Sequence, residues 1–331
     1  MVASAVANLY NARFPAAEDP MPKSKHRKNH KEKAAARRQE LAATPESGDE
    51  EVPVPSRADL EAYVAAIPAE ERAAALAEAE AKLEQIFEAE DPETQLEIAT
   101  DALATSPLCA RGYLMLAAML DGTMEEALPL YRVAVDAAEL AAGGFGGPGS
   151  LTDEHGEYLW AVAALADAQW AAGDSEGAIA LLGQVLELAG DNDVGVQYEL
   201  APWLAELGRV PEFASLLARY PDDDGVDWTF NRALLAFLQE GDTEATRDRL
   251  TEATAEYPAA IDALLDEIDV WEALQAGEEP ESDPMDELDD DDPEAEDAKA
   301  YALRATTAWA NIPGAVDWLV ATLGLEGDEA E

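Results

Sequence analysis

The sequence predicts an all-α fold, an array of antiparallel helix pairs stacked as an α-solenoid, and three observations carry that expectation. Ala, Leu, Glu and Gln dominate from Asp59 to Leu323, while runs of Val, Ile and Thr that would favour strands are nearly absent. Glycine–polar dipeptides recur at Gly173-Asp174, Gly208-Arg209 and Gly241-Asp242, spaced 35 and 33 residues apart, the period of a two-helix unit with a tight turn. Apolar residues between these turns return at helical spacing, for example Ala178, Leu182 and Val185.

The elements follow in order. Residues 1–57 read as a disordered N-terminal region. Within it, residues 22–38 form a basic arm holding Lys23, Lys25, Arg27, Lys28, Lys31, Lys33, Arg37 and Arg38, followed by a Pro- and acid-rich linker. Met21-Pro22 reads as an alternative start of the chain. A helical-repeat domain is expected over 58–272. Asp59–Ala66 and Ala69–Glu88 lead in, and Pro92 suits the first turn of the next helix, which Pro107 closes. A pair then runs over Ala110–Leu120 and Met124–Ala141 around a turn at Asp121-Gly122, with Pro129 expected to kink or delay the second helix. The glycine-rich stretch Gly143–Ser150 is a loop, because so many glycines cannot hold a helix. Three further pairs turn at the glycine–polar dipeptides. Residues 273–297 read as an acidic disordered linker, 298–323 as a C-terminal helical cap broken at Asn311–Gly314, and 324–331 as a tail.

The unit at Leu159–Gly190 resembles the tetratricopeptide repeat. Leu165 and Ala166 form a large–small pair, Trp170 follows a turn later, and Gly173-Asp174 separates the two helices. The units around Phe230–Pro258, Tyr198–Tyr220 and Tyr113–Ala138 match in part, so the resemblance spans residues 92–258. A narrower likeness rests on Ser106-Pro107, Ala110–Leu114, Leu200–Leu204, Tyr257-Pro258 and the terminal Ala308-Trp309 with Pro313-Gly314-Ala315-Val316-Asp317-Trp318-Leu319. These segments resemble bacterial relatives of the suppression-of-tumorigenicity-seven family, which implies a scaffold and no established activity. The long acidic linker and the glycine-rich loop depart from that pattern.

Composition narrows the function. A net charge of −50 repels phosphate backbones from the body, so any contact with nucleic acid is expected only through the basic arm. No stretch is apolar enough to cross a membrane, and a cytoplasmic location is expected. Cys109 is the sole cysteine; it excludes an internal disulfide and reads as a small core residue. Gly144, Gly146 and Gly149 spell a Gly-x-Gly-x-x-Gly string, but a helix precedes it and Pro148 interrupts it, so a dinucleotide site is not expected. No phosphate loop, zinc motif or nucleophile elbow occurs, and no metal, cofactor or catalytic residue is expected.

What remains is a groove. In a tetratricopeptide register the first helix of each pair lines the concave side. That places Trp160, Asp167, Tyr198, Trp228 and Asn231 there, with packing of the two tryptophans between repeats as the competing expectation. An acidic groove favours a protein or peptide partner with a basic segment; the chain's own arm is one such segment. The cap, with Trp309, Pro313, Gly314 and Trp318, is expected to dock on the last pair near Leu264, Leu265, Ile268 and Trp271, or to fold back into the groove. The leading expectation is a non-catalytic protein-binding adaptor, and the alternative is a ribosome- or RNA-associated factor that uses the arm.

Overall fold

The structure is a computed structural model that describes residues 54–87, 89, 91–120, 123–277 and 293–325. The basic arm, the Met21 start, the turn at Asp121-Gly122, most of the acidic linker and most of the tail lie outside the described residues.

Fourteen helices and no strand occur among the described residues. They are α1 (Arg57–Ala66), α2 (Ala69–Leu83), α3 (Pro92–Thr105), α4 (Ala110–Met119), α5 (Met124–Ala141), α6 (Gly156–Ala171), α7 (Ser175–Ala189), α8 (Gln197–Glu206), α9 (Val210–Arg219), α10 (Val226–Glu240), α11 (Glu244–Glu256), α12 (Pro258–Ala276), α13 (Pro293–Asn311) and α14 (Ala315–Leu323). Local signals set their ends. Ser56 caps α1 and Thr123 caps α5 as capping boxes with Asp59 and Glu126; Asp91 and Asp174 accept from the first-turn amides of α3 and α7. Pro92 and Pro258 occupy the tolerated first turn. The expected lead-in helix to Glu88 stops at Leu83 and continues as a 3₁₀ turn over Glu84–Phe87. Pro129 is accommodated inside α5, which starts at Met124 regardless.

Consecutive helices pack on one another from α2 to α10 and from α10 to α12, and α1 returns to lie against α5. Alternate helices also touch, α2 with α4, α4 with α6 and α8 with α10. One continuous apolar core runs from Leu60 to Leu319. α6 lies at its middle: ten of its sixteen residues are buried, so little of its circumference is left for solvent. The small residues of α6 (Ala161, Ala163, Ala164, Ala166, Ala168) let neighbouring helices approach closely.

The last two helices do not simply extend this row. α13 lies along α12 and also reaches back across α8 and α10, and α14 packs on α11 and α13.

Candidate functional site

The first helices of two successive pairs, α8 and α10, together with α12, frame a trough that α13 occupies. Sequence explains how each wall is built. Asp227, Phe230, Asn231 and Leu234 recur at spacings of three and four along α10, so they share one face, and all are buried. Ala298, Tyr301, Ala302, Ala305, Ala308 and Trp309 form the matching buried stripe of α13, and Ile312 just beyond its end is buried too.

Arg304 anchors the contact. Its Nε donates to Asp227 Oδ1 at 3.0 Å and its Nη2 to Asp227 Oδ2 at 2.6 Å, a bidentate pair. Both side chains are almost buried, 13% and 9% exposed. Burial pushes the Asp227 carboxyl above the ordinary carboxylate range, while the Arg304 charge and its hydrogen bonds oppose the push. Glu199 of α8 lies close enough for its charge to act on both partners. The guanidinium also sits 5.9 Å from the Tyr198 ring centre. Tyr198 in turn donates its hydroxyl to Asp223 Oδ2 at 2.8 Å and meets Trp228 edge-on at 5.1 Å.

Aromatic contacts complete the seat. Tyr301 stacks on Phe230 at 5.2 Å and accepts a hydrogen bond from Trp309 Nε1 at 2.7 Å. Trp318 of α14 stacks on Phe237 at 4.6 Å. Asn311 Nδ2 donates to Glu206 Oε1 at 2.8 Å, tying the end of α13 to the end of α8. Polar satisfaction is incomplete. Among the described residues the Asn231 amide, 1% exposed, meets no hydrogen-bond partner on either atom, and neither do Trp228 Nε1 and Trp318 Nε1.

Each groove and cap residue expected from sequence thus has a definite place, whereas the arm residues Lys23–Arg38 lie outside the described residues. Tyr198 is half-buried and lies at the trough. Trp228 and Asn231 belong to the same helices, but both are buried, so neither presents a side chain to an open groove. The reason is the return of α13 and the closure of Tyr198 and Tyr220 over the Trp228 ring. Trp160, 4% exposed, also departs from the groove expectation: it packs inside the array, with Arg111 5.8 Å over its ring. Asp167 is half-buried on α6 and its charge reaches Tyr131 of α5, away from α13. Of the cap residues, Trp309 and Trp318 are buried, while Pro313 and Gly314 form the exposed turn between α13 and α14. α13 packs along α12, which carries Leu264, Leu265, Ile268 and Trp271, and also against α8 and α10.

Sequence reasoning missed Asp227, Arg304 and Glu199; Phe230 entered only as the start of a repeat unit, and Tyr301 belongs to the apolar face of the cap without a named partner. One signal was present: Arg304 is a cation on an Ala-rich helix that also carries Tyr301 and Trp309, in a chain whose body is poor in cations. Its pairing with a residue 77 positions away carries no local signature.

The other singled-out residues have local roles. Cys109 is 1% exposed, and burial pushes its thiol up to about 11. His155 stacks edge-on with Phe145 at 5.2 Å and faces Thr152 through Nδ1. Gly144 and Gly149 take positive φ in the loop, and the Gly149 amide donates to Leu188 O. Among the described residues no group of three or more His, Cys, Asp and Glu could hold a metal, and no helix is long and apolar enough to cross a membrane.

No protein-family model, no characterised protein and no solved structure matches the chain.

Proposed function

We propose that the chain is a non-catalytic, protein-binding adaptor built as a tetratricopeptide-like solenoid whose trough over α8, α10 and α12 accepts amphipathic helices. One observation carries this reading: the trough already holds a helix, α13, through a buried bidentate Arg304–Asp227 pair and the Tyr301–Phe230 stack. Recognition of one helix face by charge and aromatic slots is the helix-in-groove mode of peptide binding. α13 is joined to the array through residues 278–292, ten of which are Asp or Glu. A segment so charged is repelled by an acidic body, which favours exchange of α13 for an outside helix.

The imperfect polar satisfaction of the trough supports exchange as well. A partner that supplied groups to the Asn231 amide would gain what α13 does not supply. The test is a chain with a protease site placed within 278–292. After cleavage the α13–α14 hairpin is held only by its contacts. A labelled peptide of residues 293–325 is expected to exchange into the cleaved chain, and native lysate is expected to yield a stoichiometric protein that competes with that peptide. A cleaved chain that neither exchanges the peptide nor captures a competing protein would make the hairpin a permanent part of the core and remove the adaptor reading.

A further inference from the structure

A second concavity lies at the other end of the array, between α2, α4, α5 and α6. It encloses about 270 Å³. Its floor is apolar, with Leu76, Leu108, Ala138 and Tyr158, and its charged lining is Glu80, Glu154 and Glu157, with His155 beside them. Glu80 is half-buried; Glu154 and Glu157 stand at the open rim. Crowding by protein lifts the Glu80 and Glu157 carboxyls above their ordinary range, and Arg111 is the cation whose charge opposes this at both. Three carboxylates around an apolar floor suit a long aliphatic cation: the stem lies on the floor and the charged head reaches the rim.

The chain enters the described body beside this concavity. Arg57 is pinned to α5 by Asp136 Oδ1 at 2.5 Å and Glu139 Oε2 at 2.8 Å. The same end of α5 supplies Ala138 and Ala141 to the lining, and its C-cap Ala142 follows. The charges of both Glu139 and Arg57 reach Tyr158 on the lining, so entry point and concavity are neighbours. The eight cations of residues 23–38 lie just upstream in the sequence. From Arg38 to Val54 the chain can span up to about 50 Å at ~3.3 Å per residue, ample for a return to α5. Other hollows fit less well: the one between α9 and α10 is lined by Arg232 and Arg249, and the one at Asp193, Asp222 and Asp223 has Arg219 in its lining, whereas Arg111 acts on Glu80 and Glu157 from outside the lining of this concavity.

We infer that the basic arm, Lys23–Arg38, docks in cis on this α2–α4–α5–α6 concavity, with its Lys and Arg side chains on Glu80, Glu154 and Glu157. The docking is electrostatic, so it weakens with salt. It withholds the arm from outside anions until a competitor reaches the body or the arm. The idea is independent of the trough over α8, α10 and α12.

Zero-length carbodiimide coupling of the full chain at low salt tests it. Amide links from the arm lysines to Glu80, Glu154 or Glu157 are expected in the monomer band and are lost at high salt. Links spread equally to Asp193, Asp222, Asp223, Asp248 and Glu252, links found only in dimers, or none at all would overturn the docking. A second measurement uses trypsin cleavage within 23–38. The combined variant Glu80→Gln, Glu154→Gln and Glu157→Gln is expected to be cut at least five-fold faster, with unchanged helical circular dichroism. A control carrying Glu240→Gln, Asp248→Gln and Glu252→Gln is expected to be cut at the wild-type rate. Equal rates in all three chains, or equal acceleration in both variants, would refute the docking. Tight, salt-sensitive binding of polyuridine RNA by the wild-type chain, as strong as by the first variant, would assign the arm to nucleic acid instead.

Discussion

At the scale of single residues, buried polar groups decide more than apolar ones. Arg304 and Asp227 satisfy one another, so removal of either leaves an uncompensated charge in the core. Asp227→Ala is expected to destabilise the chain by about 3–5 kcal/mol, measured by chemical denaturation. Replacing both residues with Leu is expected to recover most of that loss, because an apolar pair of similar volume costs no desolvation. Cys109 makes a different prediction. Its folded thiol, pushed to about 11, titrates above the ordinary value near 9. Below that ordinary value both states hold the proton and stability is complete. As pH rises from there toward 11, the unfolded state loses its proton first, and stability falls. The slope of stability between about pH 9 and 11 is expected to flatten in Cys109→Ala. A thiol this buried was legible in the sequence from the apolar run around it, whereas the Arg304–Asp227 pair was not, because its members are distant in the chain.

At the scale of elements, turns and caps were the most readable features, since they depend on residues within one turn of one another. Gly190 ends α7 with φ of 63°, and a Cβ there would lie 3.0 Å from the Gly149 backbone nitrogen. Gly190→Ala therefore combines left-handed strain with a backbone clash. It is expected to cost about 1–3 kcal/mol and to loosen the 143–150 loop, read by amide exchange at Gly149, whose N–H donates to Leu188 O. Thr243 caps α11 through its hydroxyl; Thr243→Ala is expected to cost about 1 kcal/mol in thermal unfolding. Gly112 is informative in the opposite sense. It lies inside α4, where glycine weakens a helix, yet an alanine Cβ would come within 2.8 Å of Leu103 Cδ2, so the glycine makes room for the Leu103 side chain of α3. That role depends on a neighbour outside the local segment. The same limitation applies to Trp160 and Trp228, whose spacing marks a buried or a groove-lining face equally well.

At the scale of the whole molecule, the described residues form one continuous core, and the C-terminal hairpin is part of it. Deletion of residues 293–325 would uncover Phe230 and Phe237 together with the Asp227 charge. The truncated chain is expected to show a lower unfolding midpoint and to bind a hydrophobic dye, measured by calorimetry and dye fluorescence. A net charge of −50 opposes compaction, so the full chain is expected to gain stability as monovalent salt rises and screening shortens repulsion. By itself the sequence determined the helical class, the positions of most helices and turns, the scarcity of cations outside the arm and the small-residue faces, because each follows from propensity, period and capping within a few residues. The tertiary structure alone decided that α13 returns over α8 and α10, that Arg304 meets Asp227, and which aromatic faces are closed. Those outcomes depend on which distant surfaces exclude the same water, a choice made between elements and invisible in any one of them.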